Sequence, residues 1–310
     1  MELSQKMLRK QLQLLKPVLN GCSIETARKG QDLLGTLLCS SYRKEVRMEP
    51  LSFSNCAACR MVPRDRISRG RILYLHGGGY VCGDLEYAKG FGAVLAAVTG
   101  AEVLCPGYRL APEHPYPAAL EDAMEAYSFL LEERSPTDLV LCGESAGGGL
   151  IYAVCLRAKE LGLPLPAGLV GISPWTDLTA SGESYRVNLE RDPSMMPERL
   201  NFYAKCYVPD EDRRVPLVSP LFGDLHCLPP SLLFVGGDEV MLDDTRLLHR
   251  KLLDAGCESE LIVAPELWHA YVLYCLKERR GDLEQIREFC ADRFFTAPSD
   301  SDANFRLDNI

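Results

Sequence analysis

Ser145 lies in the stretch LVLCGESAGGGL, residues 139–150, where a short apolar run breaks abruptly into glycine. Gly143, Ser145 and Gly147 fit G-x-S-x-G, the pattern of a serine carried on a sharp turn between a buried strand and a helix. A serine hydroxyl is a weak nucleophile at neutral pH. Acyl transfer from such a position therefore requires a histidine base and a carboxylate that orients it. It also requires backbone N–H groups aimed at the oxygen that becomes negative in the tetrahedral intermediate. A glycine-rich turn that merely contains serine is the plain alternative. A phosphate-cradling loop is excluded, because no lysine followed by Ser or Thr succeeds the glycines.

The chain has five histidines. His249 lies in a helical stretch, and His114 and His226 sit in proline-rich loops, where packing, turn or capping roles fit them best. His269 instead follows the apolar run LIVAPELW, so it belongs in a loop at the carboxyl end of the last predicted strand. Asp238 ends SLLFVGGD in the same way. Ser145, Asp238 and His269 thus occur in the order nucleophile, acid, base, each just after a strand, as in the α/β-hydrolase triad. Glu239, Asp243, Asp244 and Glu266 compete for the acid's place. Asp243 and Asp244 read as first-turn or capping acids of the next helix, and Glu239, adjacent to Asp238, is the strongest competitor.

Oxyanion donors are expected from two places. The N–H of Ala146 follows the serine directly, and His76, Gly77, Gly78 and Gly79 follow the strand RILYL in the manner of an HGGG-type loop. Three glycines allow backbone to approach a substrate without side-chain interference. His76 is expected to support this loop by hydrogen bonding rather than to transfer protons.

The elements that must hold these residues follow from periodicity. Apolar runs at VRMEPLSF, RILYLHGG, AEVLCPGY, DLVLCGES, GLVGISPW, SLLFVGGD and SELIVAPELWH predict strands. Helical patterns over 86–99, 117–134, 148–162, 241–256 and 282–295 alternate with them, predicting an α/β fold with a mostly parallel sheet. Residues 1–45 predict two amphipathic helices joined near Asn20 and Gly21, forming an N-terminal segment ahead of a catalytic domain over 46–296. Within that domain, the polar, proline-interrupted stretch 181–216 reads as a lid or binding insertion, and 297–310 as a flexible tail.

The 310 residues carry a formal charge of −9, with 47% hydrophobic and 25% charged residues. This is a globular composition without the basic patch of a nucleic-acid binder, and no apolar run approaches the length of a membrane span. Thirteen cysteines, an odd number mostly inside apolar runs, read as free thiols of a reducing compartment, and the N-terminus lacks the pattern of a signal peptide. A cytoplasmic location is expected. The CxxC at Cys56 and Cys59 has no second pair at zinc spacing, so neither a metal nor a cofactor is expected.

Taken together, His76 to Gly79, YRLAPEHPYPAALEDA at 108–123, GESAGG at 143–148, SPWTDL at 173–178, SPLFGDL at 219–225, GDEVMLDD at 237–244 and His269 resemble the hormone-sensitive lipase family of α/β hydrolases. That family includes bacterial carboxylesterases. The resemblance implies an α/β-hydrolase fold with a helical cap formed by the N-terminal segment. It also implies a triad at Ser145, Asp238 and His269, and oxyanion donors from Gly78, Gly79 and Ala146. Two departures stand out: Glu144 occupies the place commonly held by aspartate, and Ala270 with Tyr271 follows the histidine where glycine and an aromatic are frequent. The expected activity is hydrolysis of short-chain acyl esters of small molecules through an acyl-enzyme intermediate, with a homodimer left open. An amidase or deacetylase would use the same residues. The gibberellin receptor resembles this family but lacks a working histidine, so a non-catalytic binding protein is the reading that His269 argues against.

Overall fold

Each buried strand splits its residues between two cores. In the computed structural model, which describes residues 4–65, 68–209 and 212–294, Leu73 and Leu75 join one apolar cluster while Ile72 and Tyr74 join the other. Leu139 and Leu141 oppose Val140 and Cys142 in the same way. That is the two-residue period of a strand covered on both faces, which is why the sequence shows continuous apolar runs rather than alternation. The expected tail at 297–310 lies outside the described residues.

The strands are β1 (Val46–Ser52), β2 (Ala57–Pro63), β3 (Arg71–Leu75), β4 (Glu102–Pro106), β5 (Leu139–Glu144), β6 (Gly168–Ile172), β7 (Ser231–Gly236) and β8 (Ser259–Ala264). They form one eight-stranded sheet in the order β1-β2-β4-β3-β5-β6-β7-β8. The pairs β1–β2 and β2–β4 are antiparallel and the others parallel. The strand β2 is absent from the sequence expectation. Its apolar positions, Ala58, Cys59 and Met61, are split by Arg60, whose guanidinium pairs with Glu133. All thirteen cysteines, including Cys56 and Cys59, are free thiols.

Helices α1 (Gln5–Gly21) and α2 (Ile24–Ser41) precede the sheet. Helices α3 (Leu85–Thr99), α4 (Ala118–Glu133), α5 (Ala146–Leu161), α8 (Leu242–Asp254) and α9 (Arg280–Arg293) connect or follow its strands. Between β6 and β7 lie α6 (Ser184–Val187) and α7 (Pro197–Tyr207), so the polar insertion carries helices of its own. One core contains residues of α4, α5, α7 and α8, and the other residues of α3 and α9. No helix among the described residues is long and apolar enough to cross a membrane.

Helix α2 reaches the body of the protein through a close crossing on α3. A Cβ placed on Gly35 would lie 2.4 Å from both Glu86 O and Tyr87 Cα, and one on Gly90 would lie 2.8 Å from Gly35 Cα. Backbone touches backbone here, so only glycine fits. Gly35→Val should push α2 off α3 at a cost of about 1–3 kcal/mol, typical of overpacking. Thermal unfolding monitored by circular dichroism checks this, and an unchanged midpoint would contradict the tight crossing.

Candidate active site

Six neighbouring parallel strands, β3 to β8, end on one edge of the sheet, and four of the loops that leave it carry the candidate residues. Ser145 follows β5 directly, with φ 54° and ψ −121°, a region that residues with a side chain adopt only at a cost of about 1–3 kcal/mol. Three hydrogen bonds hold it there. Its N–H donates to Ile172 O (2.9 Å), and its carbonyl accepts from Trp175 N (2.8 Å) and Gly149 N (3.0 Å). The flanking glycines are required by contact: a Cβ on Gly147 would lie 2.0 Å from Leu75 O, and one on Gly143 would lie 2.3 Å from Gly147 O. Ala146 is the first residue of α5, so its N–H has no carbonyl to meet within the helix.

Glu144, unexplained by sequence, ties this elbow to the glycine loop after β3. Its Oε1 accepts from Gly77 N and its Oε2 from the Tyr74 hydroxyl, both at 2.6 Å. Burial raises the Glu144 carboxyl to about 7, working against those hydrogen bonds. Beyond Gly77, Gly78 and Gly79 have φ of 111° and 66°, conformations that glycine adopts without strain. His76 Nδ1 lies 2.7 Å from Gly77 O, and the ring stacks on Tyr108 at 4.1 Å between centroids. Tyr108 in turn donates to His76 O (2.6 Å). Burial pushes the His76 imidazole down to about 4, so at neutral pH it is an uncharged brace in the loop.

On the far side, the structure separates the two adjacent acids. Asp238, expected beside the histidine, instead pairs with Arg9 (2.9 Å) and Arg191 (2.6 Å). Glu239 is the acid that faces His269, with its Oε2 3.8 Å from Nδ1. That distance exceeds a hydrogen bond, and both His269 Nδ1 and Glu239 Oε1 are buried without a partner. Two orphaned groups this close need only a small approach to satisfy each other. Such contacts are often long until substrate binds.

Ser173, after β6, joins this pair. Its hydroxyl donates to Glu239 Oε2 (2.8 Å) and accepts from Ala270 N (3.0 Å), linking the carboxylate to the residue after His269. Gly236 N–H also donates to Glu239 Oε2 (3.3 Å). Burial alone would lower the His269 pKa, but the nearby Glu239 carboxylate, aided by Asp192 and Glu144, raises it above its ordinary value of 6.5.

The remaining expected acids do other work. Asp243 and Asp244 stand in the first turn of α8, as read from sequence, and both also bind backbone between the end of β6 and the start of α6. Asp244 Oδ2 accepts from Thr176 N (3.1 Å) and Asp177 N (3.0 Å), and Asp243 Oδ2 from Ser184 N (2.8 Å). Ser173 could have been found within the SPWTDL motif, although nothing there specifies its partner. Asn188 and Asp192 had no sequence signal. Asn188 Nδ2 donates to Glu239 O (2.9 Å), and Asp192 Oδ2 accepts from Val240 N (2.9 Å), so the insertion grips the loop bearing Glu239.

The insertion and the N-terminal helices also cover the glycine loop. A Cβ on Gly79 would meet Tyr203 of α7 at 2.4 Å, and one on Gly78 would lie 3.0 Å from Gln31 Oε1 of α2. Ser145 is 7% exposed and the His269 side chain 9%, so both lie beneath the surface at this edge.

Residues 72–273 match the family described as alpha/beta hydrolase fold. The chain is 42% identical over 221 residues to an acetyl-hydrolase of Streptomyces hygroscopicus, covering 70% of this chain and 74% of that protein. It is 35% identical over 222 residues to an esterase of Acinetobacter venetianus, covering 70% and 73%. Among solved structures, an esterase from the bacterial hormone-sensitive lipase family superposes with a TM-score of 0.84 at 34% identity, covering 92% of this chain and 99% of its own. The hormone-sensitive lipase homologue EstE7 from a metagenome library superposes with a TM-score of 0.86 at 32% identity, covering 94% and 99%.

The buried Glu144 gives stability a pH signature. Its carboxyl is raised to about 7 from 4.5, so across that interval the folded protein holds a proton that the unfolded chain releases. Its contribution is therefore fully present below pH 4.5 and is lost as the pH rises through 7, by about 3 kcal/mol at most. Glu144→Gln cannot ionise and should flatten this decline between pH 5 and 8 in thermal unfolding. It should also lower kcat, because a single amide oxygen cannot accept from both Tyr74 and Gly77. An unaltered pH slope would contradict the role of burial.

Proposed function

Because the chain belongs to the α/β-hydrolase family, in its bacterial hormone-sensitive lipase branch, and is a carboxylic ester hydrolase, we propose that it works as a serine esterase with Ser145 as nucleophile, His269 as base and Glu239 as the orienting acid. The observation that carries this reading is the buried Glu239 carboxylate, hydrogen-bonded by Ser173 and 3.8 Å from His269 Nδ1. Asp238 is spoken for by two arginines.

In this mechanism Nε2 of His269 takes the proton of the Ser145 hydroxyl as Oγ attacks the ester carbonyl. Glu239 holds Nδ1–H and stabilises the imidazolium that forms. The N–H groups of Gly78, Gly79 and Ala146 stabilise the developing oxyanion, an effect worth about 3–4 kcal/mol per donor. Glu144 and His76 hold the glycine loop in the shape that aims them. The alkoxide leaves with the proton from His269, and water then repeats the sequence on the acyl-enzyme. The Streptomyces relative's name, acetyl-hydrolase, and the close approach of Tyr203 to Gly79 favour short acyl chains.

Purified enzyme should cleave p-nitrophenyl acetate and butyrate faster than long-chain esters, and an organophosphate should label Ser145. Ser145→Ala should be nearly inactive, and wild-type turnover in that variant would overturn the nucleophile. Glu239→Gln should lower kcat about 10³- to 10⁴-fold, as loss of the orienting acid does elsewhere.

The pH profile offers a separate check. The base works only as neutral imidazole, so kcat/KM should fall as the pH drops through an apparent pKa above 6.5. Removing the Glu239 charge leaves burial dominant, so Glu239→Gln should carry this acid limb to lower pH. An acid limb that stays in place in that variant would argue that another carboxylate faces His269.

A further inference from the structure

We propose that Asp238 is a positioning residue that clasps the N-terminal helix and the insertion onto the loop bearing Glu239, so that closing the cover over substrate and holding the acid in place are one event. This inference rests on Glu239 being the catalytic acid. Its own basis is the convergence of two chain segments, distant in sequence, on the Asp238 carboxylate.

Asp238 Oδ2 pairs with Arg9 of α1 at 2.9 Å, and Oδ1 with Arg191 of the insertion at 2.6 Å. The Arg9 guanidinium is a three-way connector. Its Nη1 also donates to Glu266 O (2.7 Å), three residues before His269, and its Nη2 to Arg191 O (2.7 Å). Planar, forked and permanently charged, it meets three acceptors that a lysine could not span. Asp238 N–H donates to Leu267 O (3.0 Å), fastening the acid loop to the histidine loop at the same point.

Burial ranks the two arginines. The Asp238 side chain is 6% exposed and that of Arg9 22%, whereas Arg191 is 61% exposed and its pairing is correspondingly screened. Arg9 is therefore the main partner. Asp238 also lines both of two surface grooves, of about 460 Å3 with Arg191 and about 260 Å3 with Arg9, and neither contains Ser145 or His269. The carboxylate faces the outer seam of the cover rather than the reacting atoms.

Neighbouring bonds complete the seam. Lys16 Nζ donates to Leu189 O and Asp192 O, both at 2.7 Å, and Asn20 Nδ2 donates to Ser194 O at 2.8 Å. One face of α1 thus docks on the insertion, whose Asn188 and Asp192 grip the backbone at Glu239 and Val240. Lifting α1 would remove Arg9 from Asp238 and loosen the loop that aims the acid.

The test uses the full chain with Asp238→Asn, Arg9→Gln and the double variant, assayed on p-nitrophenyl butyrate, with tryptic cleavage at the lysines of α1 followed in parallel. Each single variant should raise KM about 3- to 10-fold and lower kcat by a further 3- to 10-fold or so, far less than loss of the acid itself, and the double variant should match the singles, since they break one contact. Cleavage after Lys6 and Lys10, the sites that all the variants retain, should accelerate equally in all three. Arg9→Lys should not restore the wild-type KM.

Multiplicative effects in the double variant, or an unchanged KM, would overturn the clasp while leaving Glu239 as the acid. A fall in kcat of about 10³-fold or more in Asp238→Asn with Arg9→Gln unaffected would overturn Glu239 instead, and the clasp with it. Should Asp238→Asn not fold, Arg9→Gln decides by its KM and cleavage rate.

Discussion

The structure depends on a backbone contact between the end of β3 and the start of α5. At Gly147 even a methyl group would stand 2.0 Å from Leu75 O and 2.4 Å from His76 O. The strand that delivers the glycine loop and the helix that follows Ser145 are thereby pressed together without intervening side chains. Glu144 then fixes their relative rotation by receiving Gly77 N–H and the Tyr74 hydroxyl on its two oxygens. Ser145 can be held at φ 54° because everything around it is already immobile.

Buried carboxylates supply the other half of the order. Glu144, Asp192, Glu239 and Asp244 are each 1% exposed or less, and each accepts backbone or hydroxyl hydrogens from a different strand end or loop. Such groups would be costly if left unpaired. Here they serve as pins between loops, and the negative charge of Glu239, Asp192 and Glu144 favours the protonated form of His269.

The fold was legible because strands buried on both faces leave apolar runs, and because glycines mark each strand end that must turn tightly. The strand β2 escaped because Arg60 interrupts its apolar pattern, a side chain whose partner, Glu133, lies on α4. Order and context alone place Ser145, His269 and the glycine loop at strand ends, and the structure has each of them there. The choice between Asp238 and Glu239 could not be made that way. Consecutive residues share one context, and which of them turns inward depends on the backbone path through 237–240. Bonds from Asn188 and Asp192 set that path, and neither residue carries any local mark of the function.

Placing opposite tasks on neighbouring residues has a consequence for how this loop can vary. Asp238 and Glu239 differ by one methylene, yet one meets guanidinium groups at the outer seam and the other an imidazole in the interior. A substitution elsewhere in the loop changes one contact. Inserting or deleting a single residue ahead of the pair would shift the register and present each carboxylate to the wrong partner. Loop length, more than composition, is therefore the quantity that divergence in this segment must preserve.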